Sequence, residues 1–224
     1  YGKVVSTVTA QAATRNTSYA AEYWPWCQVV DPSTGDLVWV PASTVIGGVY
    51  AKNDSLAAPW FAPAGLVKGG IPNVIQAERK VSREQRDLLY RSNVNPIATF
   101  PGQGIAVFGQ KTLNPTSSAL DRVNVARLVV YIRERLDDIV KPFLFEPNDE
   151  VTRQNAKVLV DRFLGNLVTQ RGLFDFLTVC DTSNNTPARI DRNELHVDIA
   201  IQPVKSVEFI YIPIRVQNTL GQTG

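Results

Sequence analysis

Methionine is absent from all 224 residues, position 1 included, histidine occurs once and cysteine twice. A translated protein ordinarily begins with methionine, so the sequence is expected to be part of a longer chain. Two cysteines as far apart as Cys27 and Cys180 build no disulfide framework and read as buried free thiols. One histidine leaves little for a metal: Cys27, Cys180 and His196 show neither C-x-x-C nor H-x-x-x-H spacing. No apolar run approaches the ~20 residues that span a bilayer. The first residues, YGKVVSTVTAQAATRNTS, lack the apolar stretch of a signal peptide. A dominant charge is missing too. The 23 basic and 21 acidic residues give a net +2, without the basic surplus of a dedicated nucleic-acid binder. What remains is an ordinary composition, 44% hydrophobic and 20% charged, enough for one large domain or two small ones.

Along the chain, residues 1–42 read as extended segments broken by turns. In WCQVVDPSTGDLVWVP, two β-rich runs flank a Pro/Gly/Asp cluster, the pattern of a hairpin. ASTVIGGVYAK (42–52) reads as a short helix weakened by Gly47 and Gly48. APWFAPAGLVKGGIP is an irregular loop, so apolar that it is expected to pack against something. Helical signals strengthen after residue 80. Ser82 with Gln85 has capping-box spacing, and Ser118 with Asp121 repeats it. Val125, Leu128, Val129, Ile132, Leu136 and Ile139 keep the 3.6 period of one buried face until Pro142. A second long helix over 148–172 turns Ala156, Leu159, Val160, Phe163 and Leu167 inward, with Gly172 at its C-terminal cap. LFDFLTVCD and ELHVDIAIQ return to strands, the latter alternating Leu195, Val197, Ile199 and Ile201 against His196, Asp198 and Ala200. SVEFIYIPIRVQ is apolar on both faces, and Pro213 places it at an edge or a seam. The expected fold class is α+β: a mixed β-sheet packed with two long amphipathic helices.

The chemical signals are weak. PGQGIAVFGQKT (101–112) has the glycine spacing of a phosphate-binding loop, but Gln110 separates Gly109 from Lys111. Strand-like residues fill the loop, and the next helix starts only near Ser118. A hairpin with Gly102 and Gly104 at its turn is the better reading. His196 beside Asp198 has no G-x-S-x-G serine to serve and reads as a surface residue. Glu146, Asp149 and Glu150 place negative charge at a helix start. Arg133, Arg135, Arg153, Arg162 and Arg171 form a solvated face or a docking surface for an acidic partner. No catalytic residue, cofactor or metal ligand is expected.

Several segments are co-linear with one family. SYAAEYWPWCQVVDPSTGDLVWVPASTVIGGVYAKND, APWFAPAGLVKGGI, GIAVFGQKTL and PVKSVEFIYIPI, in that order, resemble the contractile tail sheath proteins of bacteriophages. The resemblance covers residues 17–217, with Trp24 where the family often has Tyr and without the family's N-terminal arm. It implies a structural subunit, found in the virion and assembled in the host cytoplasm, that polymerises around a tail tube and contracts to drive it through the host envelope. Rearranged subunit contacts would supply the energy, without nucleotide hydrolysis. Implied partners are other sheath subunits in stacked hexameric rings, the tail tube protein, and baseplate and tail terminator proteins; direct contact with nucleic acid or membrane is not implied. Residues 1–80 would belong to the conserved inner region, 81–217 to the C-terminal sheath domain, and 218–224 to a flexible tail. Val207, Phe209, Ile210, Tyr211, Ile212, Ile214 and Val216 would form an inter-subunit linking strand, and Arg122, Arg127, Arg133 and Arg135 would face the tube. Without the arm, residues 1–224 alone are expected to be soluble and unable to polymerise. A phage-like bacteriocin or secretion machine is the alternative setting, and a monomeric enzyme with an unrecognised site the alternative class.

Overall fold

The computed structural model describes residues 2–208, 210 and 211. Its first element corrects the extended reading of residues 1–42: Gly2–Ala13 is helix α1. The β-branched Val and Thr residues there favour strands on propensity alone. The helix wins because Val5, Val8 and Ala12 fall on one face and pack on Trp24, Leu89, Val94 and Leu113.

Strands β1 (Glu22–Trp24), β2 (Cys27–Val30) and β3 (Leu37–Val40) follow. The expected hairpin is present, with Cys27 opposite Val40 and Val30 opposite Leu37. Its turn is closed by Asp31, whose carboxylate accepts from the Ser33 amide at 2.8 Å while its carbonyl accepts from the Gly35 amide at 2.8 Å. Gly35 has φ +77°, the left-handed region glycine enters without strain. Helix α2 (Ala42–Leu56) runs through both internal glycines and turns Ile46 and Val49 into a core with Cys27, Ile97 and Val107. After the single turn α3 (Gly65–Lys68), β4 (Gln76–Ala77) pairs with β2, giving a sheet of order β3-β2-β4.

Helix α4 (Arg83–Arg91) carries the capping box as expected, the Ser82 hydroxyl accepting from the Gln85 amide and the Gln85 side chain from the Ser82 amide. Ser82→Ala should cost about 1 kcal/mol of stability in a urea titration, with an unchanged slope. Strands β5 (Val94–Phe100) and β6 (Gly104–Val107) form the second expected hairpin. Gly102 and Gly104 sit at its turn with φ +74° and +88°. β1 pairs with β5 in parallel, so β1-β5-β6 is a mixed sheet.

The second half is built on α5 (Val123–Val140) and α6 (Glu150–Thr169). The Ser118 cap is a correction: Ser118 precedes only a 3₁₀ turn, Ala119–Asp121, and makes no side-chain cap bond. The Asp121 carbonyl accepts from the Thr112 amide at 3.0 Å, and the Val123 amide donates to the Gln110 carbonyl at 2.7 Å. Those bonds displace the start of α5 to Val123. Leu128, Ile132, Val160, Leu164 and Leu167 are buried between the helices. Leu159, expected inward, is exposed, and Leu164 fills the core instead. Arg153 leaves the expected solvated face: it is buried and donates to the Asn148 carbonyl at 3.2 Å. Asp149 caps α6, accepting from the Thr152 amide at 2.8 Å.

Gly172 follows α6 as expected, but the left-handed position is Arg171, at φ +63°. The Gly172 amide donates to Leu167 and the Arg171 amide to Val168, the paired bonds of a Schellman ending. β7 (Leu173–Val179), a short turn of helix α7 (Pro187–Ile190) and β8 (Asp198–Pro203) complete the described fold, with β7 and β8 antiparallel. Ile199 and Ile201 are half-buried and alternate with exposed Asp198 and Ala200 as expected, though β8 starts only at Asp198. The class is α+β, the strands of the described residues being divided among three small sheets.

Candidate assembly surfaces

Sheet β7-β8 has two strands, so among the described residues both of its outer edges lack a strand partner. Phe176 opposite Ile201 and Thr178 opposite Ile199 cover the α5–α6 core, while Phe174 and Leu177 are exposed. A two-stranded ribbon is marginal alone and here depends on its helical backing. Unpaired strand edges invite another strand.

The chain beyond Pro203 takes no strand conformation at 204–208, 210 or 211. Val207, Ile210 and Tyr211 are 81%, 79% and 87% exposed. Phe209, Ile212, Ile214 and Val216, from the same expected linking strand, lie outside the described residues.

The four candidate arginines do not make one basic patch. Arg122 is committed to two carboxylates, Glu208 at 2.6 Å and Asp121 at 3.0 Å. Burial is the largest influence and works to raise the Glu208 pKa, but hydrogen bonds from Arg122, Tyr90 and Gln110 and the Arg122 charge together outweigh it and hold it below the usual range. Arg127 pairs with Asp54 at 2.6 Å and stacks over the Tyr50 ring. Arg133 is exposed, and Arg135 lies over the Tyr131 ring. Arg127 and Arg133 do share one groove of about 410 Å³ along α5, whose lining includes Tyr19, Val123, Val130 and Glu134.

The two halves meet at Trp60, which the sequence marks only as part of an apolar loop. Its ring sits among Leu128, Ile132, Val160, Leu164 and Leu167. Its Nε1–H donates to the Gln170 carbonyl at 3.1 Å, and its own carbonyl accepts from Asn124 Nδ2 at 3.2 Å. A Cβ on Gly172 would meet the indole at 3.2 Å, so the glycine is the floor of the Trp60 site.

The remaining sequence candidates hold no assembled chemistry. Lys111 of the glycine-rich stretch lies over the Tyr90 ring rather than at a helix N-terminus. His196 is half-buried before β8, its Nε2 at 3.0 Å from Glu194. Cys27 and Cys180 are buried free thiols, as expected, and burial pushes the Cys27 thiol up to about 11. Among the described residues no group of three or more His, Cys, Asp or Glu side chains could hold a metal ion, and no helix is long and apolar enough to cross a membrane.

Comparisons with known proteins bear on the family and the fold. The phage tail sheath protein central domain matches residues 2–113, and the phage tail sheath C-terminal domain matches 116–217. The tail sheath protein of Vibrio phage KVP40 is 41% identical over 172 residues, 77% of this chain and 26% of its own length. That of Enterobacteria phage T4 is 36% identical over the same shares. That of Salmonella phage ViI is 30% identical over 90% of this chain and 32% of its own length. The chain therefore spans about a quarter to a third of the relatives it matches. In fold, it is similar to the sheath complex of an extracellular contractile injection system (PVC) in its contracted state. There the TM-score is 0.82 at 24% identity, over 96% of this chain and 61% of that one. The anti-feeding prophage baseplate gives 0.81 at 23% identity, over 90% and 56%. With both halves matched in order, this chain belongs to the phage tail sheath protein family.

Proposed function

We propose that the chain is the conserved core of a sheath subunit that polymerises around a tail tube and contracts to drive the tube through the host envelope. The observation that carries this is a sheet, β7-β8, with two edges that lack a strand partner among the described residues, together with the exposed apolar side chains of Val207, Ile210 and Tyr211. Strand addition between subunits answers both needs, main-chain bonds giving strength and alternate side chains giving register. Membership of the sheath family extends the proposal to stacked hexameric rings, with baseplate and terminator proteins at their ends and the virion tail as the location. The work comes from repacked subunit contacts, with no catalytic residue and no nucleotide.

The groove lined by Arg127 and Arg133 is the candidate tube contact, with exposed Arg133 as its available charge, since Arg122 and Arg127 are held by internal carboxylates. A bacteriocin or injection-machine sheath is the second reading, favoured by the fold likeness to the PVC and anti-feeding prophage assemblies. The phage setting ranks first because the phage relatives are nearer in sequence, at 30–41% identity against 23–24%.

Electron microscopy of the full-length protein, beside residues 1–224, tests the reading. Full-length protein is expected to form long striated tubes, and residues 1–224 to remain single particles. A full-length protein that stays monomeric even with purified tube protein would sink the proposal.

A further inference from the structure

We propose that Glu208 is a releasable anchor that sets the free length of the terminal linking segment. This rests on the sheath reading for its purpose, though not for its existence in the single chain. The chain leaves β8 at Pro203, and the Val204 amide donates to the Gly172 carbonyl at 3.2 Å. The next holds are polar. Asn124 Nδ2 donates to Ser206 Oγ at 3.4 Å, and Gln110 Nε2 to Glu208 Oε1 at 3.2 Å. Arg122 grips both oxygens of Glu208, Nε to Oε1 at 2.6 Å and Nη2 to Oε2 at 3.0 Å.

Three features make this contact an anchor that can open. First, the bidentate guanidinium–carboxylate pair fixes direction as well as distance, so it defines one exit path for the chain. Second, the surroundings are balanced: Arg122 and Lys111 face Asp121 and Glu208, so an opened Arg122 keeps Asp121 as a partner at 3.0 Å. Third, among the described residues the apolar neighbours of Glu208, Val207 and Ile210, are exposed and do not pin the segment. Charge-assisted hydrogen bonds in a half-buried site are specific and can be exchanged for water at modest cost.

The mechanical consequence follows from chain geometry. With the anchor closed, the free segment starts after Glu208. With it open, the Asn124–Ser206 contact at 3.4 Å is the next hold back toward Val204, which remains tied to Gly172. Opening Glu208 alone frees residues 207 and 208, about 7 Å of chain, and yielding of the long Ser206 contact with it frees 205–208, up to about 14 Å at the extended-chain limit. A strand shared between subunits that change separation needs such slack, and the ion pair places it where opening disturbs neither β8 nor α5.

Trypsin reads the anchor directly, because Lys205 lies inside the released stretch. In the soluble chain, Glu208→Ala should speed cleavage after Lys205 about tenfold or more. Arg122→Ala, which removes the grip from the other side, should speed the same cleavage as Glu208→Ala does. Equal cleavage of parent and Glu208→Ala would overturn the anchor, whether or not the full-length protein assembles. Full-length tubes carrying Glu208→Ala should dissociate at lower urea than parent tubes; equal resistance would overturn its role in linking subunits. If the parent makes no tubes while Lys205 cleavage responds as expected, the sheath reading fails and the anchor stands.

Discussion

Trp60→Ala is expected to be the most destabilising single substitution in the chain, costing about 3–5 kcal/mol, the range for deleting a large buried aromatic. A domain of this kind holds about 5–15 kcal/mol in total, so the loss removes a large share of its stability. Two things go at once. The indole fills a site shared by Leu128, Ile132, Val160 and Leu167, which cannot close because two helices hold its walls apart. The Gln170 carbonyl, at the end of α6, also loses the Nε1–H that satisfies it. Trp60→Phe separates the terms: it keeps much of the ring volume and loses the hydrogen bond, for about 1 kcal/mol plus a small packing loss. Gly172→Ala approaches from the other side, where the added methyl would sit 3.2 Å from the indole and cost about 1–3 kcal/mol as overpacking. Urea titrations followed by tryptophan fluorescence and by circular dichroism would order the variants. A Trp60→Ala protein within 1 kcal/mol of the parent would mean the halves are not joined through this residue.

The failures of sequence reading are as informative as its successes. The two long helices were legible because a 3.6-residue apolar period over 18 and 20 residues has few competing explanations. The two hairpins were legible because glycine and Asx residues announce their turns. Helix α1 was hidden by its β-branched residues, although Val5, Val8 and Ala12 already carry helical spacing. There burial decided against local preference. The Ser118 cap failed for the opposite reason: the local signal was right in form, but Gln110 and Thr112 captured the backbone groups it needed. Leu159 and Arg153 exchanged their expected environments because a helix face is set by its neighbours, and Asn148 gives Arg153 a buried partner.

Candidate assembly residues were legible where they are apolar, and hidden where they work in pairs. The exposure of Val207, Ile210 and Tyr211 agrees with a segment that is apolar on both faces. Glu208 stood in the same stretch without drawing notice, because an ion pair to a residue 86 positions away leaves no local periodicity. Trp60 was equally silent, being a loop residue whose meaning lies in the cavity made by α5 and α6.

Replacing Val207, Ile210 and Tyr211 together by serine is expected to leave the single chain as stable as before and to abolish assembly of the full-length protein. The two halves of this expectation have one cause. In the single chain these side chains are 81%, 79% and 87% exposed, and substitutions at such sites usually fall within about 0.5 kcal/mol. In a shared sheet they would be buried, each contributing about 1.5–3 kcal/mol, or roughly 5–9 kcal/mol per subunit for the three. At 1.4 kcal/mol per tenfold, removing that raises the concentration needed for polymerisation by at least about a thousandfold. Glu208 is untouched, so the chain still leaves the surface at the same point, and a defect cannot be assigned to a lost anchor. Thermal unfolding of the single chain and sedimentation of full-length tubes give the two readouts. A lowered melting temperature would place these residues in the subunit's own core. Tubes forming at the parent concentration would remove them from the interface and leave the open edges of β7 and β8 to be met by another segment.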